Sequence, residues 1–154
     1  MKLKDFNSQL GAAKKAARKS GYLLLKNRQE LNQKLADSSK DIKLEADIQS
    51  ENLIKQIISS DSNYPILAEE SGKSNKDLGD TFWVIDPLDG TANYNRGIPM
   101  CCVSIGLVKN MTPLFGVIYD FDNDHMYVGD VLNNYSMMND DPITVSNIQK
   151  KQDS

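Results

Sequence analysis

Cysteine and histidine are scarce in this chain. Of 154 residues, two are cysteine and one is histidine. The cysteines, Cys101 and Cys102, are neighbours. Adjacent residues on a strand point to opposite faces, which disfavours a disulfide between them. With no disulfide framework, a reducing cytoplasm is the expected compartment. Two thiols and the lone His125 are also a poor basis for a thiolate–imidazole zinc site. Any metal bound here is expected to bind through oxygen.

An excess of positive charge is missing too. Lys and Arg number 18 against 21 Asp and Glu, a net charge of −3. That argues against a nucleic-acid partner, which calls for a basic face. No segment approaches the ~20 apolar residues that cross a bilayer, so no membrane contact is expected. The basic N-terminal stretch lacks the continuous apolar core of a secretory signal. No repeat, low-complexity tract or linker interrupts the sequence. Its 40% hydrophobic and 25% charged residues are those of a globular protein. The length suits a single domain over residues 1–154, with 145–154 expected to fray.

What is present begins with helical spacing. Phe6, Leu10, Ala13, Ala17 and Leu24 recur on one face, with Lys and Arg on the other, which predicts an amphipathic helix ending near Arg28. The polar stretch NQKLADSSKDIK follows. A second helix is predicted from Ala46 to Ile58, with Leu53, Ile54, Ile57 and Ile58 inward, and SSDSNYP stops it. Then the period changes to that of strands. YPILAEE, TFWVID, CCVSIGLV, LFGVIYD and HMYVGD read as five strands, the last three an antiparallel meander. The fold class expected is α+β: two N-terminal helices packed on a largely antiparallel sheet.

Two of these strands end on acids. Glu69 and Glu70 close the first, and Asp86 and Asp89 close the second. If the strands are neighbours, the carboxylates converge and repel. Neither ILAEES nor VIDPLDGT contains Lys or Arg, so a hard divalent cation such as Mg²⁺, Ca²⁺ or Mn²⁺ is a natural counter-charge. Pro87 is expected to end the strand and turn the chain. Asp86 and Asp89 would then approach one metal cluster, with the Leu88 carbonyl as a neutral ligand. Gly90 permits unusual backbone angles. The Gly90 and Thr91 N–H groups behind it are free to hold an anion such as phosphate. Asp-Pro-x-Asp-Gly is equally ordinary turn chemistry. At this point the structural and the metal-binding readings stand level.

The segment DPLDGTANY closely resembles the D-P-[IL]-D-G-T-x-N-[FY] signature of the inositol monophosphatase family. ILAEES resembles that family's upstream G-E-E-S element, and LEAD, ending at Asp47, its earlier T-x-x-D element. VSIGLV and GVIYD resemble the strands that follow, so the likeness runs from Leu10 to Ser146. It implies a layered α/β sandwich of the sugar-phosphatase type and a Mg²⁺-dependent phosphomonoesterase. Carried over to these positions, it implies that Glu69, Asp86, the Leu88 carbonyl and Asp89 bind Mg²⁺. Asp47 and Thr91 would orient and deprotonate the attacking water. The Gly90 and Thr91 N–H groups would hold phosphate, and Glu70 would support the ligands from behind.

The chain departs from the family in three places. Ala68 replaces a glycine before Glu69, and Gly97 follows Arg96 where relatives carry a second basic residue. No W-D-x-A-G element is present, because the only tryptophan, Trp83, precedes Val84. The expectation is therefore the N-terminal part of the family fold, with the C-terminal half absent. Two functions follow. One is a phosphatase of inositol monophosphate or a similar small phosphorylated metabolite, as a homodimer or with a C-terminal partner chain. The other is a non-catalytic remnant or a split-enzyme subunit that binds metal or phosphate.

Overall fold

A computed structural model describes residues 3–34 and 39–146, with side chains over 5–30 and 45–146. Two long helices come first, α1 (Leu3–Lys34) and α2 (Ser39–Asp61). Both outrun the predicted spans. The residues past Arg28 include good helix formers (Gln, Glu, Leu, Lys) and no Gly or Pro, so helix continues where the apolar stripe has ended. Of the polar stretch between the helices, residues 35–38 lie outside the described residues, as do 147–154 of the expected tail.

The strands are β1 (Ile66–Ala68), β2 (Gly72–Lys73), β3 (Thr81–Asp89), β4 (Cys102–Lys109), β5 (Thr112–Asp120), β6 (His125–Asp130), β7 (Tyr135–Met138) and β8 (Asp141–Pro142). A short helix, α3 (Thr91–Asn95), follows β3. One sheet takes the order β2-β1-β3-β4-β5-β6-β7-β8. Only β1 and β3 run parallel; every other described pairing is antiparallel. The five predicted strands are all present. β2, β7 and β8 were not predicted, being short and lacking an apolar alternation.

The core lies between the helices and one face of the sheet. Ala13, Ala16, Ala17 and Leu24 of α1 and Ile54 and Ile58 of α2 have no exposed surface. Opposite them stand Trp83, Val103, Leu107, Val117 and Tyr119, equally enclosed. Phe115 receives the edges of Phe6 and Trp83 at centroid distances of 5.3 and 5.8 Å. Gly21 lets α1 approach β5, because a Cβ there would sit 2.6 Å from the Tyr119 ring. Among the described residues, nothing covers the other face of the sheet. Val84 and Ile118 are 37% and 45% exposed on it. Gly106, Gly116 and Gly129 stand in register across three strands of that face.

Pro87 does not end its strand. β3 runs on to Asp89 through a bulge: Asp86 faces Ser104 and Asp89 faces Cys102, so three steps on β3 match two on β4. A bulge is where a sheet tolerates proline, since a residue there needs no ladder donor. Directly paired residues share a face. The extra residue therefore puts Asp86 and Asp89 on the same, uncovered face and sends Pro87 and Leu88 inward, where both are buried.

Candidate functional site

The parallel pairing of β1 with β3 brings the two acidic strand ends together. Ala68 lies opposite Ile85, and the Glu69 N–H donates to the Ile85 carbonyl at 3.1 Å. Glu69 thus sits beside Asp86, and their carboxyls are within hydrogen-bonding reach. Burial pushes the Asp86 carboxyl up to about 7, and the Glu69 contact and the Glu69 and Asp89 charges push in the same direction. The Leu88 N–H, donating to Asp86 Oδ1 at 3.1 Å, pulls the other way. Among the described residues, no Lys or Arg forms an ion pair with Glu69, Asp86 or Asp89.

Gly90 adopts φ 87, and a Cβ there would meet the Met100 carbonyl at 2.6 Å, so only glycine fits. Thr91 opens α3, and its hydroxyl donates to the Leu88 carbonyl at 3.1 Å. With that proton committed, the Thr91 oxygen can accept from a water or a ligand. The Gly90 carbonyl accepts from Asn93 and Tyr94 at 2.8 and 3.0 Å. The N–H groups of a helix's first turn have no partner within the helix. Beside Asp89 and Gly90 opens a cavity of about 450 Å³, lined also by Asn93, Met100, Cys102 and Asp120.

Asp47 lies on α2 and is 4% exposed. It is close enough to Tyr94 that its charge adds to burial in raising the Tyr94 phenol far above its ordinary value. Glu70 is exposed, and its backbone N–H donates to Glu51. The donor set of Glu69, Asp86, Asp89 and the Leu88 carbonyl is all oxygen, which fits a hard dication. Among the described residues, no three His, Cys, Asp or Glu side chains are gathered tightly enough to form a ready-made cage. Of the expected set, Glu69 and Asp86 are brought side by side at the ends of the neighbouring strands β1 and β3, with Asp89 on the same face as Asp86.

Three supports were not anticipated from sequence. Ser50 and Glu51 of α2 bind the two loops from behind. Arg28 of α1 pairs with Asp122 and lies over the Tyr94 and Phe121 rings at 5.3 and 5.8 Å. Tyr94 also donates to the Leu24 carbonyl at 2.6 Å, tying α3 to α1. The signal available was polar residues on the inner face of a helix, at 47, 50 and 51, where apolar ones are the rule. No described helix is long and apolar enough to cross a membrane.

Known proteins share this fold. The solved structure of inositol monophosphatase from Anabaena (Nostoc) sp. superposes with a TM-score of 0.75 at 37% identity, over 93% of this chain and 51% of that one. The extragenic suppressor protein SuhB of Bartonella henselae gives a TM-score of 0.78 at 28% identity, over 90% of this chain and 54% of that one. In sequence, inositol monophosphatase 1 of Solanum lycopersicum is 32% identical over 141 residues, 89% of this chain and 51% of the relative. The Nus factor SuhB of Xylella fastidiosa is 42% identical over 109 residues, 69% of this chain and 39% of the relative. The chain therefore spans about half the length of the relatives it matches. The sequence model of the inositol monophosphatase family matches residues 6–154. With a family match over nearly the whole chain and the fold of a 37% identical inositol monophosphatase, the chain belongs to the inositol monophosphatase family.

Proposed function

We propose that this chain carries the metal- and phosphate-binding half of a Mg²⁺-dependent phosphomonoester hydrolase acting on inositol monophosphate or a similar small phosphorylated metabolite. One observation carries the proposal. The bulge at Pro87 sets Asp86 and Asp89 on one open face beside Glu69, and among the described residues no basic side chain pairs with them. Glu69, Asp86, Asp89 and the Leu88 carbonyl would hold the cations, with Glu70 behind them. Mg²⁺ supplies positive charge that polarises phosphoryl oxygens and acidifies water. The Gly90 and Thr91 N–H groups would receive the phosphate. The Thr91 oxygen, its proton given to Leu88, would accept a hydrogen bond from the attacking water, and Asp47 would take up the proton. Residues 1–154 would form one domain working in the cytoplasm.

The test is phosphate release from inositol 1-phosphate with and without Mg²⁺. Magnesium-dependent turnover abolished by Asp86→Asn supports the hydrolase. A second reading, a non-catalytic remnant or a subunit completed by a partner chain, is favoured by the bare sheet face around Val84, Gly116 and Ile118. A chain inactive in saturating Mg²⁺ but restored by a separate C-terminal polypeptide would establish the subunit form.

A further inference from the structure

The inner face of α2 carries three polar side chains in an apolar setting. Asp47, Ser50 and Glu51 are 4%, 0% and 3% exposed, and their spacing places them on one side of the helix. Polar groups this deep must be matched by partners. Two of the three find theirs in the two loops that carry the acids. Ser50 Oγ donates to the Pro87 carbonyl at 2.8 Å, inside the bulge between Asp86 and Asp89. It also meets Ser20 of α1. Glu51 Oε2 accepts from the N–H groups of Glu70 and Ser71 at 3.0 and 3.4 Å, in the turn that follows Glu69. Its other oxygen pairs with Lys55 at 2.7 Å, and Lys55 reaches the Ser71 hydroxyl.

The β1–β3 ladder stops at Ala68 and Ile85, with the Glu69 N–H bond to Ile85 as its last link. Beyond that link the Glu69 turn and the Pro87 bulge diverge from the sheet pairing that joined them. Consecutive residues of one helix then hold them both. A helix is the stiffer brace, since its own backbone bonds fix residues 50 and 51 relative to each other.

We propose that Ser50 and Glu51 are positioning residues: they set the separation between the Glu69 carboxylate and the Asp86–Asp89 pair, and through it the affinity for a divalent cation. Neither touches the cation. The inference rests on the metal-binding reading given under the proposed function.

The experiment is calorimetric titration of the full chain with Mg²⁺, beside thermal unfolding in chelator. The variants are Glu51→Gln and Ser50→Ala, with Ile58→Val as a control that loosens α2 away from the loops. Glu51→Gln and Ser50→Ala should each raise the Mg²⁺ dissociation constant about tenfold, a loss of ~1.4 kcal/mol. Ile58→Val should lower the melting temperature and leave the dissociation constant unchanged. If either loop-binding variant fails to fold, the other decides. Parental affinity in the folded variants overturns the positioning role and leaves the metal site standing. A parent chain that takes up no Mg²⁺ overturns both.

Discussion

Asp86 is the residue on which charge and fold are most at odds. Its folded-state pKa is raised to about 7 from an ordinary aspartate value, first by burial and then by Glu69. A carboxyl shifted upward binds its proton more tightly when folded, so ionisation penalises the fold. The penalty grows as pH rises from about 4 to about 7 and stays constant above. In chelator at pH 8, Asp86→Asn should therefore melt higher than the parent, by on the order of 1 kcal/mol once solvent screening of a half-exposed group is allowed for. The advantage should vanish at pH 4, and the variant should no longer bind Mg²⁺. Gly90 makes the opposite case. Gly90→Ala adds a methyl 2.6 Å from the Met100 carbonyl at φ 87, and should cost ~2–4 kcal/mol in urea unfolding. Both positions were legible in the sequence, because acids after an apolar run and a glycine after Asp-Pro-x-Asp are local signals. The way Asp86 and Asp89 come to share a face was not legible. Proline read as a stop, and only the register with β4 reveals the bulge.

At the scale of elements, the helices serve the loops. α1 reaches α3 through Arg28, whose pair with Asp122 is nearly enclosed, the side chains being 13% and 11% exposed. Arg28→Met should cost ~1–3 kcal/mol, since it leaves the Asp122 carboxylate without its guanidinium. Arg28→Met combined with Asp122→Asn should recover part of that loss in a double-mutant cycle read by chemical denaturation. Periodicity located α1 and α2 through Ala13, Ala17, Ile54 and Ile58, but it placed the end of α1 at the end of its apolar stripe. Helix-forming residues carried it further. β7 and β8 escaped because Tyr-Ser-Met-Met and Asp-Pro show no alternation; β7 exists as a hydrogen-bonded addition to β6 and β8 as one to β7, which no local pattern announces.

The described residues are asymmetric: one side of the sheet is packed under two helices and nothing among them covers the other. The glycine row on that bare side was not legible in the sequence. Gly116 has nothing within 4 Å of where a Cβ would stand. Gly116→Val should leave the melting temperature of the isolated chain unchanged or slightly raised, because valine suits a strand. The same variant should weaken any layer that covers the face, as measured by pull-down of a separately expressed C-terminal polypeptide. Laid side by side, the three notches at positions 106, 116 and 129 leave main-chain atoms as the outer skin of the sheet. Relief of this kind is written by backbone alone. Drift among neighbouring side chains does not erase it, whereas a single gained methyl fills it.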